Sequence, residues 1–206
     1  MSERTIHRIV SGTWRQNGYV VEEGGSLIAI DPGLDLHAFT ELIDRSASRI
    51  LAIVNTHAHF DHIGSVAPLV EAYGIPFYLH RGDAALLRQA NLYRALFGES
   101  EPLRVPASFT DMAGGALRVG PFDIEVIETP GHTKGGVCLR LGDALFTGDT
   151  LFGKGAGRTD LPGGSREEME ASQELLRRLP ADLTVYPGHG KSLSMGEIRL
   201  RVEEGA

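Results

Sequence analysis

Thr56-His57-Ala58-His59-Phe60-Asp61-His62 gathers three of the chain's 8 histidines and one carboxylate. An even spread would leave about 0.2 histidines in the six residues from His57 to His62, so composition does not explain the cluster. Neutral imidazole is a preferred ligand for zinc, iron and copper, and a carboxylate adds a harder anionic partner. Clustered loop histidines can also be merely solvated, but three further signals point to a site. These are Thr129-Pro-Gly-His132-Thr133, Phe146-Thr-Gly-Asp149-Thr150 and Tyr186-Pro-Gly-His189-Gly190. In each, a strand pattern ends at a Pro or Gly turn that presents one His or Asp. A single such loop is weak evidence. Behind the histidine cluster, the three supply the number and types of ligand for two metal sites. Seven protein ligands shared by two metals leave coordination positions open, the mark of a catalytic rather than a structural site.

The ligands sit where strand patterns stop. Arg49–Asn55 is an apolar, β-branched run read as a buried strand leading into the cluster. Val66, Leu69, Val70 and Tyr73 have helical spacing, predicting a helix that starts near Gly64. Upstream, Ile6–Val10, Gly18–Glu22 and Ser26–Ile30 read as strands, with one turn expected around Gln16-Asn17 and a hairpin at Gly24-Gly25. Asp31-Pro32-Gly33 closes the third strand. Leu36, Phe39, Leu42 and Ile43 predict a helix, 76–80 a short strand, and 82–96 one helix. Residues 97–109 carry two prolines and no period, and read as a joining loop. The second half repeats the plan, with strands at 116–119, 122–128, 136–141, 144–147 and 183–186. A glycine-rich loop spans 153–164, and a short charged helix is expected at the C-terminus. Ser165-Arg-Glu-Glu168 is a capping box opening a helix to Leu179. Two strand-rich halves, about 1–109 and 110–206, predict a single α/β domain of two mixed sheets face to face with helices outside.

Length and composition suit a soluble globular chain: 42% hydrophobic, 23% charged, with a formal charge of −7. That charge argues against a nucleic-acid partner. One cysteine, Cys138, allows no intramolecular disulfide and fits a reducing compartment. The first residues lack an apolar h-region and no run approaches a membrane span, so the expectation is a cytoplasmic protein with no membrane partner. Oligomeric state cannot be read from the sequence.

The ordered ligand set, from Ile30-Asp31-Pro32-Gly33 to Gly188-His189-Gly190, resembles the metallo-β-lactamase superfamily, and within it the glyoxalase II-like hydrolases. The resemblance implies a four-layer αββα sandwich with its metals at one edge. It assigns His57, His59 and His132 to one metal, Asp61, His62 and His189 to a second, and Asp149 as the bridge between them. Two divalent metals are implied, zinc foremost, with iron or manganese possible. Such a pair, about 3.5–4 Å apart, shares a water and lowers its pKa, giving a hydroxide for attack on a carbonyl. Asp61 would orient that nucleophile. A thiolate, with a pKa near about 8.5, leaves without protonation, so a small thioester of the hydroxyacylglutathione type is the expected substrate.

Two-domain glyoxalase II enzymes carry a C-terminal helical domain that contacts glutathione. Only 17 residues follow His189, so the short single-domain relatives are the better match. The loop Gly153-Lys-Gly-Ala-Gly-Arg158-Thr-Asp160 resembles theirs. It makes Arg158 a candidate to hold a substrate carboxylate, or else an ion-pair partner of Asp160. Lys154 is a second candidate anchor, or a solvated loop lysine. Persulfide dioxygenases of the superfamily share the Gly-Arg-Thr-Asp loop and bind one iron through positions matching His57, His132 and Asp149. They are the alternative activity, and a non-enzymatic metal-binding module is the alternative outside catalysis. True β-lactamases normally lack the bridging aspartate, and superfamily nucleases need an inserted domain for which this chain has no room.

The remaining residues have blander readings. Cys138 lies in a strand pattern and reads as a packed side chain. His80 reads as structural, His7 and His37 as surface residues, Asp31 as a support for a ligand loop. Tyr93, Leu96 and Phe97 form a lid or ordinary core, and Trp14 packs in core or loop.

Overall fold

The computed structural model describes residues 4–204; residues 1–3, part of the N-terminal segment read above, and 205–206 lie outside the described residues. Three antiparallel strands open the fold: β1 (Thr5–Ser11), β2 (Gln16–Glu23) and β3 (Ser26–Ile30). Gly24 and Gly25 both have positive φ, 57° and 71°, the backbone a two-residue hairpin between right-twisted strands requires. After helix α1 (Leu36–Arg45), strands β4 (Arg49–Val54), β5 (Phe77–Leu79) and β6 (Thr110–Asp111) add in parallel, giving the order β1-β2-β3-β4-β5-β6. The second sheet holds β7 (Gly115–Val119), β8 (Phe122–Glu128), β9 (Val137–Leu141), β10 (Ala144–Gly148), β11 (Thr184–Pro187) and β12 (Leu193–Ser194), in the order β12-β11-β10-β9-β8-β7.

Alternation along the strands sets the layers. Tyr19 and Val21 of β2, Ile28 and Ile30 of β3, and Ala52 and Val54 of β4 point between the sheets, onto Ile124, Val126, Leu139 and Phe146. Val20, Ala29 and Ile53 point the other way, onto Phe39 of α1 and Leu69 of α3 (Val66–Tyr73). Leu145 and Val185 face outward beneath Leu176 of α6 (Arg166–Arg177) and Ile198 of α7 (Met195–Glu204). Strands buried on both faces and helices on both outer sides make the αββα sandwich expected from the sequence. Among the described residues, no helix is long and apolar enough to cross a membrane.

Four local expectations are corrected. Gln16 and Asn17 are not a turn; they begin β2, and the turn lies at 12–15. The helix expected from near Gly64 forms as α3, but a short helix that was not expected, α2 (Phe60–Ile63), precedes it in the segment read as the ligand loop. Between them Ser65 turns back to the Asp31-Pro32-Gly33 loop, its N–H donating to Pro32 O at 3.0 Å and its hydroxyl to Gly33 O at 2.5 Å. The helix over 82–96 breaks at Gln89 into α4 (Ala84–Arg88) and α5 (Ala90–Leu96). Strands β6 and β12, two residues each, are too short to carry a periodic signal. Strand β6 also extends the first sheet to Asp111, two residues beyond the expected boundary between the halves.

Ser165 caps α6 as expected, accepting from Glu168 N–H at 3.2 Å. Ser165 N–H also donates to Gly131 O at 2.8 Å, tying this helix start to the loop that carries His132. Ser165→Ala should lower stability by about 1 kcal/mol, read as a lower urea midpoint. An unchanged midpoint would show that the cap contributes nothing.

Candidate metal centre

Each of the seven candidate ligands leaves the end of a strand on one edge of the sandwich. His57, His59, Asp61 and His62 follow β4, His132 follows β8, Asp149 follows β10 and His189 follows β11. The structure brings them together. Ligand atoms of His57, His59 and His132 lie within 4.8 Å of one another, as do those of Asp61, His62 and His189. Asp149 lies between the sets: Oδ2 is 3.4 Å from His132 Nε2 and 3.6 Å from His189 Nε2, while Oδ1 is 3.5 Å from His62 Nε2. Asp61 Oδ2 is 3.5 Å from His189 Nε2.

Four of the imidazoles are held at Nδ1, which aims Nε2 inward. His57 Nδ1 meets Thr56 Oγ1 at 3.0 Å, and His62 Nδ1 meets Asp31 Oδ2 at 3.0 Å. His132 Nδ1 donates to Arg158 O at 2.6 Å and His189 Nδ1 to Trp14 O at 3.0 Å. Such outer contacts fix tautomer and ring orientation at metal sites. The inward atoms then find no hydrogen-bond partner: His57, His62 and His132 Nε2 and Asp149 Oδ1 are buried and unsatisfied. Buried polar atoms are paired in the great majority of cases, and four orphans at one point fit a cation-binding site. The donor set, imidazole and carboxylate, suits zinc or iron.

Electrostatics agree. Burial pushes His57 well below the usual histidine range, helped by neighbouring His62, and takes His59 down to about 3. Both are therefore neutral at pH 7, the ligating form. Burial opposes a charged His62 as well, yet the facing carboxylates of Asp61 and Asp149 raise it well above its ordinary value. Burial likewise works against an ionised Asp149, but His62, then His132 and His57, hold it well below the carboxylate range.

Asp31 supports the centre as the sequence suggested. It adopts φ +48°, uncommon for a non-glycine residue, and its carboxylate accepts from Thr56 N at 2.7 Å and Thr56 Oγ1 at 2.6 Å besides meeting His62. Gly188 lies so close to the centre that a Cβ there would overlap Asp149 Oδ1 and press on His62 Cε1. A side chain at this position would fill the space between the ligand clusters.

Several supports were not legible. Asp83 is fully buried and accepts from Ala58 N at 2.9 Å, Thr133 Oγ1 at 3.0 Å and Gly135 N at 2.7 Å. Burial pushes its carboxyl above the ordinary range, against those donors, which favour the charged form. One carboxylate thus clamps the His57–His59 loop to the His132 loop. Asn17 Nδ2 donates to Pro187 O at 2.8 Å and Gly190 O at 2.9 Å, bracketing His189. Only the position of Asp83 after a strand end hinted at its role, and Asn17 gave no signal.

A cleft of about 290 Å³ opens over the centre, lined by His59, Asp61, His132, Asp149, His189 and an aromatic wall of Trp14, Phe60, Phe97 and Phe152. Trp14 is 45% exposed and packs edge-on against Phe97 at 5.4 Å, so it walls the cleft rather than sitting in the core. Of the lid candidates, Phe97 lines the cleft, Tyr93 is buried in the core and Leu96 is exposed. Arg158 lines the cleft, its guanidinium 5.7 Å from the Phe97 ring and paired with Asp160 through two contacts of 2.7 Å. Lys154 lies outside this cleft, in a neighbouring groove. Cys138 is buried, and burial pushes its thiol up to about 12, as befits packing. His80 accepts from Gly82 N and stands 3.5 Å from Glu128.

A sequence profile of the metallo-beta-lactamase superfamily matches residues 11–189. The probable metallo-hydrolase YqgX of Bacillus subtilis is 37% identical over 187 residues, 89% of each chain. Among solved structures, TTHA1623 in a di-iron-bound form superposes with a TM-score of 0.86 at 37% identity, covering 93% of this chain and 96% of the other. BLEG-1, a B3 metallo-beta-lactamase, also gives 0.86, at 34% identity over 94% of this chain and 95% of its own.

Asp83→Asn keeps the shape of the clamp but replaces one acceptor oxygen with a donor facing other donors. Metal affinity, measured by chelator competition, should fall about 10- to 100-fold, the size expected for an outer contact. Affinity equal to wild type would show that the ligand loops hold their geometry without it.

Proposed function

The chain belongs to the metallo-beta-lactamase superfamily, a group of metal-dependent hydrolases, and we propose that it cleaves a small thioester of the hydroxyacylglutathione type at a two-metal centre. In this reading His57, His59 and His132 hold one metal, Asp61, His62 and His189 the other, and Asp149 contacts both. The observation that carries it is the convergence of buried, unpartnered His57, His62 and His132 Nε2 and Asp149 Oδ1. When bound, divalent metals supply Lewis-acid activation of water and of a carbonyl. Zinc, iron and manganese all suit the ligands, and TTHA1623 takes two irons.

The protein's own groups divide the remaining work. Asp61, anionic and beside the cleft, orients a water by accepting its hydrogen bond. The aromatic wall receives apolar parts of the substrate and keeps bulk water out. Arg158 is placed to take a substrate carboxylate bidentately, exchanging it for Asp160. Its ion pair is exposed, so the exchange costs little. A thiolate leaves unprotonated, and this suits a cleft whose ionisable groups are already engaged: Asp61 with His189, Arg158 with Asp160.

Two other activities compete. The intact second cluster, Asp61–His62–His189, disfavours a one-metal persulfide dioxygenase. The likeness to BLEG-1 makes β-lactam hydrolysis a reaction to assay, whereas Asp149 between the clusters favours the thioesterase. The metal-loaded protein should release thiol from S-lactoylglutathione with no oxygen uptake on glutathione persulfide and little turnover of a chromogenic β-lactam. Oxygen uptake without thiol release, or β-lactam turnover above thioester turnover, would replace the proposed reaction. Asp149→Ala should lose metal and turnover together, by at least about 10³-fold in rate, since it removes the bridging anion. Full metal content and activity in that variant would end the two-metal reading.

A further inference from the structure

A groove of about 420 Å³ adjoins the metal cleft, and Phe152 and His189 line both. Their rings meet edge-on at 5.8 Å, so this one pair of rings stands between the two spaces. The groove's cations are Lys154, Lys191 and Arg201, and among the described residues no carboxylate lines it. In a chain with formal charge −7 this is a local reversal of sign. Arg201 Nη1 reaches Gly153 O at 3.5 Å, across the groove from the C-terminal helix. Glu197, one turn before Arg201, is engaged by Ser194, accepting from its N at 2.8 Å and its Oγ at 2.9 Å. Among the described residues, no ion pair engages Lys154 or Lys191. Arg8 adds a fourth cation at the edge, donating to Gly190 O at 3.1 Å.

Clustered cations repel one another, and a concave wall focuses their field on an incoming anion. Carboxylate and phosphate oxygens are the natural partners of such a set. The two arms of a biological acyl thioester differ in charge: many acyl groups are small and neutral, whereas soluble thiol carriers bear carboxylates or phosphates. Resting on the thioester reading, we propose that this groove is a subsite for an oxyanion on the thiol arm of the substrate, held by Lys154, Lys191 and Arg201. The oxyanion is either a carboxylate of a peptide thiol or a phosphate of a pantetheine thiol.

The test compares wild type with the Lys191→Glu/Arg201→Glu double variant, after circular dichroism and metal analysis, on S-lactoylglutathione and acetyl-coenzyme A. The KM of one of these substrates should rise at least tenfold while kcat stays within about twofold, and the carrier that responds identifies the oxyanion. Unchanged KM values for both would overturn the subsite. If neither is cleaved by wild type, the reaction proposed above fails, and titration with S-methylglutathione and desulfo-coenzyme A decides the groove separately. A tenfold loss of affinity in the double variant upholds it; equal affinity, or no binding of either probe to wild type, overturns it. Should the double variant misfold, Lys191→Ala is read by the same measurements, with about a threefold change expected.

Discussion

Asp149 is a carboxylate buried amid five histidines, and among the described residues its Oδ1 has no hydrogen-bond partner. Taking an ionised carboxylate out of water costs several kcal/mol unless cations surround it. The strand ends on this edge of the sandwich deliver the means of compensation: Nε2 atoms of His132 and His189 at one oxygen and of His62 at the other. In the protein alone, the carboxylates of Asp61 and Asp149 raise the pKa of His62 well above its ordinary value, against its burial. Two divalent ions would balance the carboxylate charge and would occupy the orphaned ring nitrogens at the same time. The arrangement of the loops therefore reads as built around a charge that the polypeptide by itself does not complete.

Holding that geometry is the task of atoms far from the ligands in sequence. Asp31 grips Thr56 and His62, Asp83 joins two ligand loops, and the first hairpin supplies Trp14 O and Asn17 to steady the His189 loop. The sandwich makes these meetings possible, since both sheets end at the same edge. The same edge carries the cleft, walled by aromatic rings, lined by Arg158 and adjoined by the groove of Lys154. Arg158 is tethered to Asp160, whereas among the described residues no ion pair engages Lys154 or Lys191 of the adjoining groove.

The sandwich was legible, and the seven candidate ligands could be picked out, because their signals are local. A β-branched run followed by clustered histidines, or a strand stopped by Pro-Gly before a His, needs only neighbouring residues to be read. The supports were not legible because their partners lie 25 and 52 residues away for Asp83, and because His132 and His189 lean on backbone carbonyls that any residue could offer. The short helix α2 was not legible for a related reason. Four residues carry no period, and the Ser65 contacts to the Pro32-Gly33 loop that separate it from α3 are tertiary. Arg158 was read as either a substrate anchor or an ion-pair partner of Asp160, and the structure shows the ion pair.

The account stands on two metals sharing Asp149, and anomalous diffraction from crystals of the metal-loaded protein reads that directly. It predicts two peaks about 3.5–4 Å apart, one beside His57, His59 and His132 and the other beside Asp61, His62 and His189, with Asp149 in contact with both. A single fully occupied peak, or a pair that leaves Asp149 uncoordinated, would contradict it.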